Sequence, residues 1–103
     1  MTGEGTPHAF IPQASDEEIA RERQKARDLR NSQWWKNEKG KGLCHYCQGR
    51  FHPSELTMDH IVPLIRGGRS TKGNIVPCCK ECNNRKRHML PSEWESYLES
   101  LRQ

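Results

Sequence analysis

Two Cys-x-x-Cys pairs, Cys44 with Cys47 and Cys79 with Cys82, constrain this chain more than any other feature. Their spacing is that of a four-thiolate zinc site, which clamps together segments that lie far apart in sequence. The chain needs such a clamp. Of its 103 residues, 32% are hydrophobic and 29% are charged, enough for one domain but too apolar-poor for a large core. The competing reading of the cysteines is a pair of disulfides in a secreted domain. That reading leaves Cys78 over, and no apolar signal-peptide core opens the sequence. No apolar run approaches membrane-spanning length. The expectation is a soluble, cytoplasmic protein with structural Zn2+ and no membrane contact.

Residues 1–14 carry Gly3, Gly5, Pro7 and Pro12, the composition of a flexible or extended arm, with His8 and Phe10 as its one anchor. Ser15 and Glu18 have capping-box spacing, and neither Gly nor Pro follows until Gly40, so segment 15–39 is expected to be a helix over about 16–36. Ile19, Ala20, Ala26 and Leu29 form only a thin apolar stripe on it, a narrow edge for docking to the domain, to DNA, to a second copy or to a partner protein. Trp34 and Trp35 are too large to leave exposed, and at least one is expected to pack the helix onto the domain rather than stack on bases. Segment 40–90 is the expected zinc-stapled core. Within it, 43–51 reads as a hairpin around the first knuckle with His45 and His52 exposed, 56–61 as a short strand stopped by Pro63, and 66–73 as a flexible basic loop. A helix is expected from about Lys80 to His88, and a last helix in 91–103 from the Ser92/Glu95 spacing, with Trp94, Tyr97, Leu98 and Leu101 on one face.

The net charge of +4 is unevenly spread. Between Ile61 and Leu90 lie Arg66, Arg69, Lys72, Lys80, Arg85, Lys86 and Arg87 against the single acid Glu81, which points to a polyanionic partner. Beside this basic run stand Asp59 and His60 at the end of the expected strand. A carboxylate and the amide oxygen of Asn83 are hard ligands suited to Mg2+ or Mn2+, which keep waters and take phosphate oxygens as further ligands. Imidazole has an ordinary pKa of about 6.5, so a neutral His60 can take a proton from an attacking water. Adjacent strand residues point to opposite faces, so Asp59 and His60 converge only if the strand ends or bulges there. Lys86, three residues beyond Asn83 on the helix, is expected to touch phosphate. Cys82 lies about 100° round the helix from Asn83, so one turn can face both centres.

These residues together carry a resemblance. Cys44-x-x-Cys47, Asp59-His60-Ile61-Val62-Pro63-Leu64, Gly67-Gly68, Asn74-Ile75-Val76-Pro77 and Cys79-x-x-Cys82-Asn83-x-x-Lys86 resemble the HNH nuclease family of the ββα-metal fold, including its zinc-bearing members. The resemblance implies a small α+β, treble-clef-like core with flanking helices. It further implies metal-dependent DNA cleavage, with His60 as general base, Asp59 as its metal-binding neighbour and Asn74 as the middle residue that holds the loop. Asn83 stands where the family's third residue is often histidine. His88, five helical positions on, is expected to point away from Asn83. The alternative class is a non-catalytic zinc module that binds nucleic acid or protein, which has no use for a base beside a carboxylate.

Overall fold

The computed structural model describes residues 13–102. The arm expected over 1–14, with His8 and Phe10, therefore lies almost wholly outside the described residues. At its end Gln13 donates a backbone hydrogen bond to the Ile65 carbonyl at 2.7 Å, so the chain enters along the domain. The element order is α1 (Asp16–Arg30), α2 (Gln33–Gly40), β1 (Leu56–His60), β2 (Ile75–Cys79), α3 (Lys80–Lys86) and α4 (Pro91–Leu101), with three short 3-10 turns between them. The architecture is small α+β, with a two-stranded antiparallel sheet running straight into α3.

Two helices stand where one was expected at the N-terminus. The Ser15/Glu18 capping box starts α1 as anticipated, with Glu18 N–H to Ser15 Oγ at 3.1 Å and Ser15 N–H to Glu18 Oε1 at 2.8 Å. The break falls at Asn31 and Ser32. The Ser32 hydroxyl accepts from the Trp35 N–H at 3.3 Å and so caps a second helix, a local alternative that serine offers to an uninterrupted backbone ladder. Helix α2 then runs to Gly40, and Gly42 at φ +70° turns the chain out of it. Of the narrow apolar edge of α1, Ile19 and Ala26 are buried, Leu29 is half-buried and Ala20 is exposed. Trp35 is buried as well, while Trp34 is half-exposed with Lys72 Nζ 5.8 Å from its ring centroid.

The expected hairpin at 43–51 is reduced to one bridge, Leu43 to Arg50, around the cysteine turn. Strand β1 pairs with β2 in the register Leu56 to Cys79 through His60 to Ile75. In a two-stranded sheet both strands are edges, so Pro77 is tolerated without an N–H. The core gathers Cys44, Leu56, Cys78, Cys79, Cys82 and Trp94, with Tyr46, Phe51, Tyr97 and Leu98 against it. Cys78 is fully buried, a small packing residue beside the thiol cluster. Helix α4 therefore docks on the cysteine core through Trp94, whereas Leu101 is exposed. Its start also differs from the Ser92/Glu95 reading. Pro91 takes the first helical position, where its missing N–H costs nothing, and Glu93 Oε1 accepts from the Leu90 N–H at 2.8 Å.

The loop between the strands is anchored, in contrast to the flexible basic loop expected over 66–73. Gly67 adopts φ +92°, and Gly68 is packed so closely that a Cβ on it would lie 1.8 Å from the Val62 carbonyl oxygen. Gly68→Ala is accordingly expected to destabilise the protein by about 2 kcal/mol or more, because backbone rather than a yielding side chain must shift. A melting temperature equal to that of the wild type would contradict this packing.

Candidate active site and thiol cluster

The four knuckle sulfurs, on Cys44, Cys47, Cys79 and Cys82, all lie within 4.8 Å of one another, and Cys47 Sγ is 4.0 Å from Cys79 Sγ. Tetrahedral bonds of about 2.3 Å place thiolates roughly 3.8 Å apart, so the cluster fits a zinc-sized ion with little adjustment. Local backbone prepares it. The Cys82 N–H points at Cys79 Sγ and the Gly49 N–H at Cys47 Sγ, each at 3.4 Å. Burial pushes the Cys44 thiol up, but hydrogen bonds from the backbone of Cys47, Cys79 and Tyr46 outweigh it and bring the group down to about 7. A thiolate is the form that ligates metal.

Strand β1 ends at His60, and Asp59 and His60 both still pair within it, with Val76 and Ile75, so their side chains take different partners. Asp59, His60 and Asn83 line one surface depression together with Met58, Pro63, Leu64, Arg87 and His88. Cys82 faces the thiol cluster from the same helical turn that brings Asn83 to this depression. His88 is also in the lining, contrary to expectation. Helix α3 stops at Lys86, and Arg87 at φ +48° turns the chain, so the helical spacing that would point His88 away no longer applies.

Asp59 is buried, and both of its partners grip Oδ2. The Tyr46 hydroxyl donates at 2.6 Å and Lys86 Nζ stands at 3.3 Å. Burial first, and then the bond to Asp59, hold the Tyr46 phenol far above its ordinary value, so it stays a donor. Lys86 is fully buried; it also donates to the His60 carbonyl at 3.2 Å and lies 5.4 Å from the Tyr46 ring centroid. This corrects its assignment as a phosphate contact. A side chain without exposed surface cannot meet a nucleic-acid backbone, and its charge answers the Asp59 carboxylate instead. The Asn83 NH2 donates to Thr57 Oγ1 at 3.3 Å, which leaves the amide oxygen for a cation.

Asn74 ties the loop down through three bonds. Its Oδ1 accepts from Val62 N–H at 2.9 Å, and its NH2 donates to the carbonyls of Val62 at 3.1 Å and Arg69 at 2.8 Å. Its own backbone carbonyl accepts from Ile61 N–H, next to His60. Burial holds the His60 imidazole below its ordinary pKa; Asp59 and Glu22 oppose this, while Arg30 and Lys86 add to it. Burial thus favours the neutral ring. Its Nε2 lies 2.9 Å from Ser70 Oγ.

The expected basic contacts separate into two groups. Arg69 and Lys72 are exposed on the loop, and Arg85 is exposed on α3 with a surface pair to Glu81 at 3.0 Å. Arg66 makes a two-pronged pair with Glu93, at 3.2 and 3.0 Å, that straps the loop to α4. Tyr46, Ser70 and Glu22 were not singled out by the sequence. Glu22 sits in a row of alternating charges on α1, and only the fold reveals that it is buried against the loop.

The sequence profile of the HNH endonuclease family matches residues 44–98. This is more than half of the chain, spanning both cysteine pairs, both strands, α3 and most of α4, and the protein belongs to that family. The ββα arrangement and the four cysteines positioned to bind a metal ion accord with its fold. No curated protein matches the chain.

Proposed function

We propose that this protein is a metal-dependent DNA endonuclease in which His60 is the general base, Asp59 and Asn83 hold a Mg2+ or Mn2+ ion, and the four cysteines hold a structural Zn2+. The observation that carries the reading is the joint lining of one depression by Asp59, His60 and Asn83 at the point where β1 meets α3. A divalent cation there supplies stabilisation of charge on the phosphate and leaving oxygens. His60 takes a proton from the attacking water through the ring nitrogen not engaged by Ser70. The new P–O bond forms as the bond to the 3′-oxygen breaks, and a proton from solvent completes the 3′-hydroxyl, leaving a 5′-phosphate. Asn74 fixes the loop behind the base. Arg69, Lys72 and Arg85 contact DNA phosphates, giving affinity that carries no sequence information and falls with salt.

Lys86 bears on metal affinity. Its charge already answers the Asp59 carboxylate, so Asp59 and Asn83 would bring little net negative charge to a divalent cation held there. Supercoiled plasmid incubated with the purified protein is expected to be nicked or cut only when Mg2+ or Mn2+ is added, leaving ends that ligase can rejoin. Intact plasmid across several divalent metals, with DNA binding retained, would instead identify a non-catalytic zinc module.

A further inference from the structure

The geometry points to Ser70 and the Glu22 backbone as a relay that fixes the tautomer of His60, so that α1, which lies outside the family segment, positions the general base. The inference rests on the nuclease reading of His60. It follows from counting protons. Ser70 Oγ lies 2.6 Å from the Glu22 carbonyl oxygen, and a carbonyl has no proton to give, so the single hydroxyl proton of Ser70 lies on that contact. Ser70 Oγ can then only accept in its second contact, 2.9 Å from His60 Nε2. The Nε2 atom must carry the ring proton. In the neutral ring this leaves the lone pair on Nδ1, which is the basic nitrogen.

The relay is built rather than incidental. Ser70 is buried, and its own N–H donates to Glu22 Oε1 at 2.6 Å, so Glu22 grips the residue at two points. Lys25 Nζ at 3.1 Å and Arg69 at 4.0 Å hold the other carboxylate oxygen of Glu22. Gly68, which admits no side chain, and Asn74, which accepts from one end of the loop and donates to the other, set the path that brings Ser70 to α1. A histidine that must present one nitrogen to water is commonly oriented by a partner on the other nitrogen; here that partner reaches back to a helix far upstream.

The test uses the full chain. Long-range 15N–1H spectra, at a pH where the ring is neutral, report which nitrogen of His60 carries the proton. The wild type is expected to show the Nε2–H form alone, and Ser70→Ala a mixture of both. Single-turnover cleavage at saturating protein is expected to fall about 10- to 100-fold in Ser70→Ala, with DNA affinity unchanged. An Nδ1–H ring in the wild type, or a Ser70→Ala protein with the wild-type tautomer and rate, overturns the relay. Should Ser70→Ala fail to fold, as metal content and melting would reveal, the wild-type spectrum alone decides. A wild-type protein that does not cleave removes the nuclease reading, whereas the tautomer still tests the relay.

Discussion

Cys47→Ala is expected to empty the four-sulfur site and abolish cooperative folding of the core. Cys47 is the ligand that isolates the effect, because it is exposed while Cys44, Cys79 and Cys82 are buried in the core and would leave cavities if truncated. Its sulfur contributes little packing, so what the substitution would remove is one ligand of the proposed zinc. Structural zinc supplies about 10–16 kcal/mol of apparent binding free energy in small sites, comparable with the whole stability of a typical domain at about 5–15 kcal/mol. The buried residues here cannot replace that. Four of the six members of the principal core cluster are themselves cysteines, and only Leu56 and Trp94 add large apolar side chains. Three remaining thiolates with water in the fourth position bind less tightly and no longer tie the first knuckle to β2 and α3. Metal analysis should find less than one zinc per chain, and thermal unfolding followed by circular dichroism should lose its sharp transition. A cooperative melt at the wild-type temperature would show that the sulfur cluster is not what holds the fold. Stripping zinc from the wild type with a strong chelator is expected to reproduce the variant.

What the sequence discloses about this molecule is what its local chemistry encodes. The cysteine pairs, the capping box at Ser15 and the stop of β1 ahead of Pro63 each depend on a few neighbouring residues, and the structure keeps them. The break between α1 and α2 was hidden because neither Gly nor Pro marks it; a serine hydroxyl that can cap is equally at home in an exposed helix position. Lys86 illustrates a deeper limit. Three residues from Asn83 it must face the same side of α3, but periodicity does not say whether a cation there meets solvent phosphate or a buried carboxylate. Asp59 decides the matter, and that contact joins residues brought together only by the sheet and α3. Glu22 and Ser70 are more distant still in sequence, and each reads as an ordinary solvent-facing polar residue until the loop is seen packed on α1.

His60→Ala is expected to lower cleavage by about 10²- to 10⁴-fold, the range that a positioned acid or base supplies, equivalent to roughly 3 to 5 kcal/mol of barrier. The loss should fall on the rate and spare binding. Among the described residues, the exposed cations proposed to meet DNA, Arg69, Lys72 and Arg85, make no side-chain bond to His60, and the thiol cluster is built from other residues. Fluorescence anisotropy with a short duplex, zinc content and the melting temperature therefore serve as controls that should stay near wild type. The comparison with Ser70→Ala gives the prediction its second edge. Removing the base eliminates the proton acceptor, whereas removing Ser70 leaves that acceptor present but divided between two tautomers, so the histidine variant must be the slower of the two. Equal cleavage by wild type and His60→Ala would exclude His60 as the base. Cleavage lost together with DNA binding would instead assign His60 to holding the loop, through its contact with Ser70.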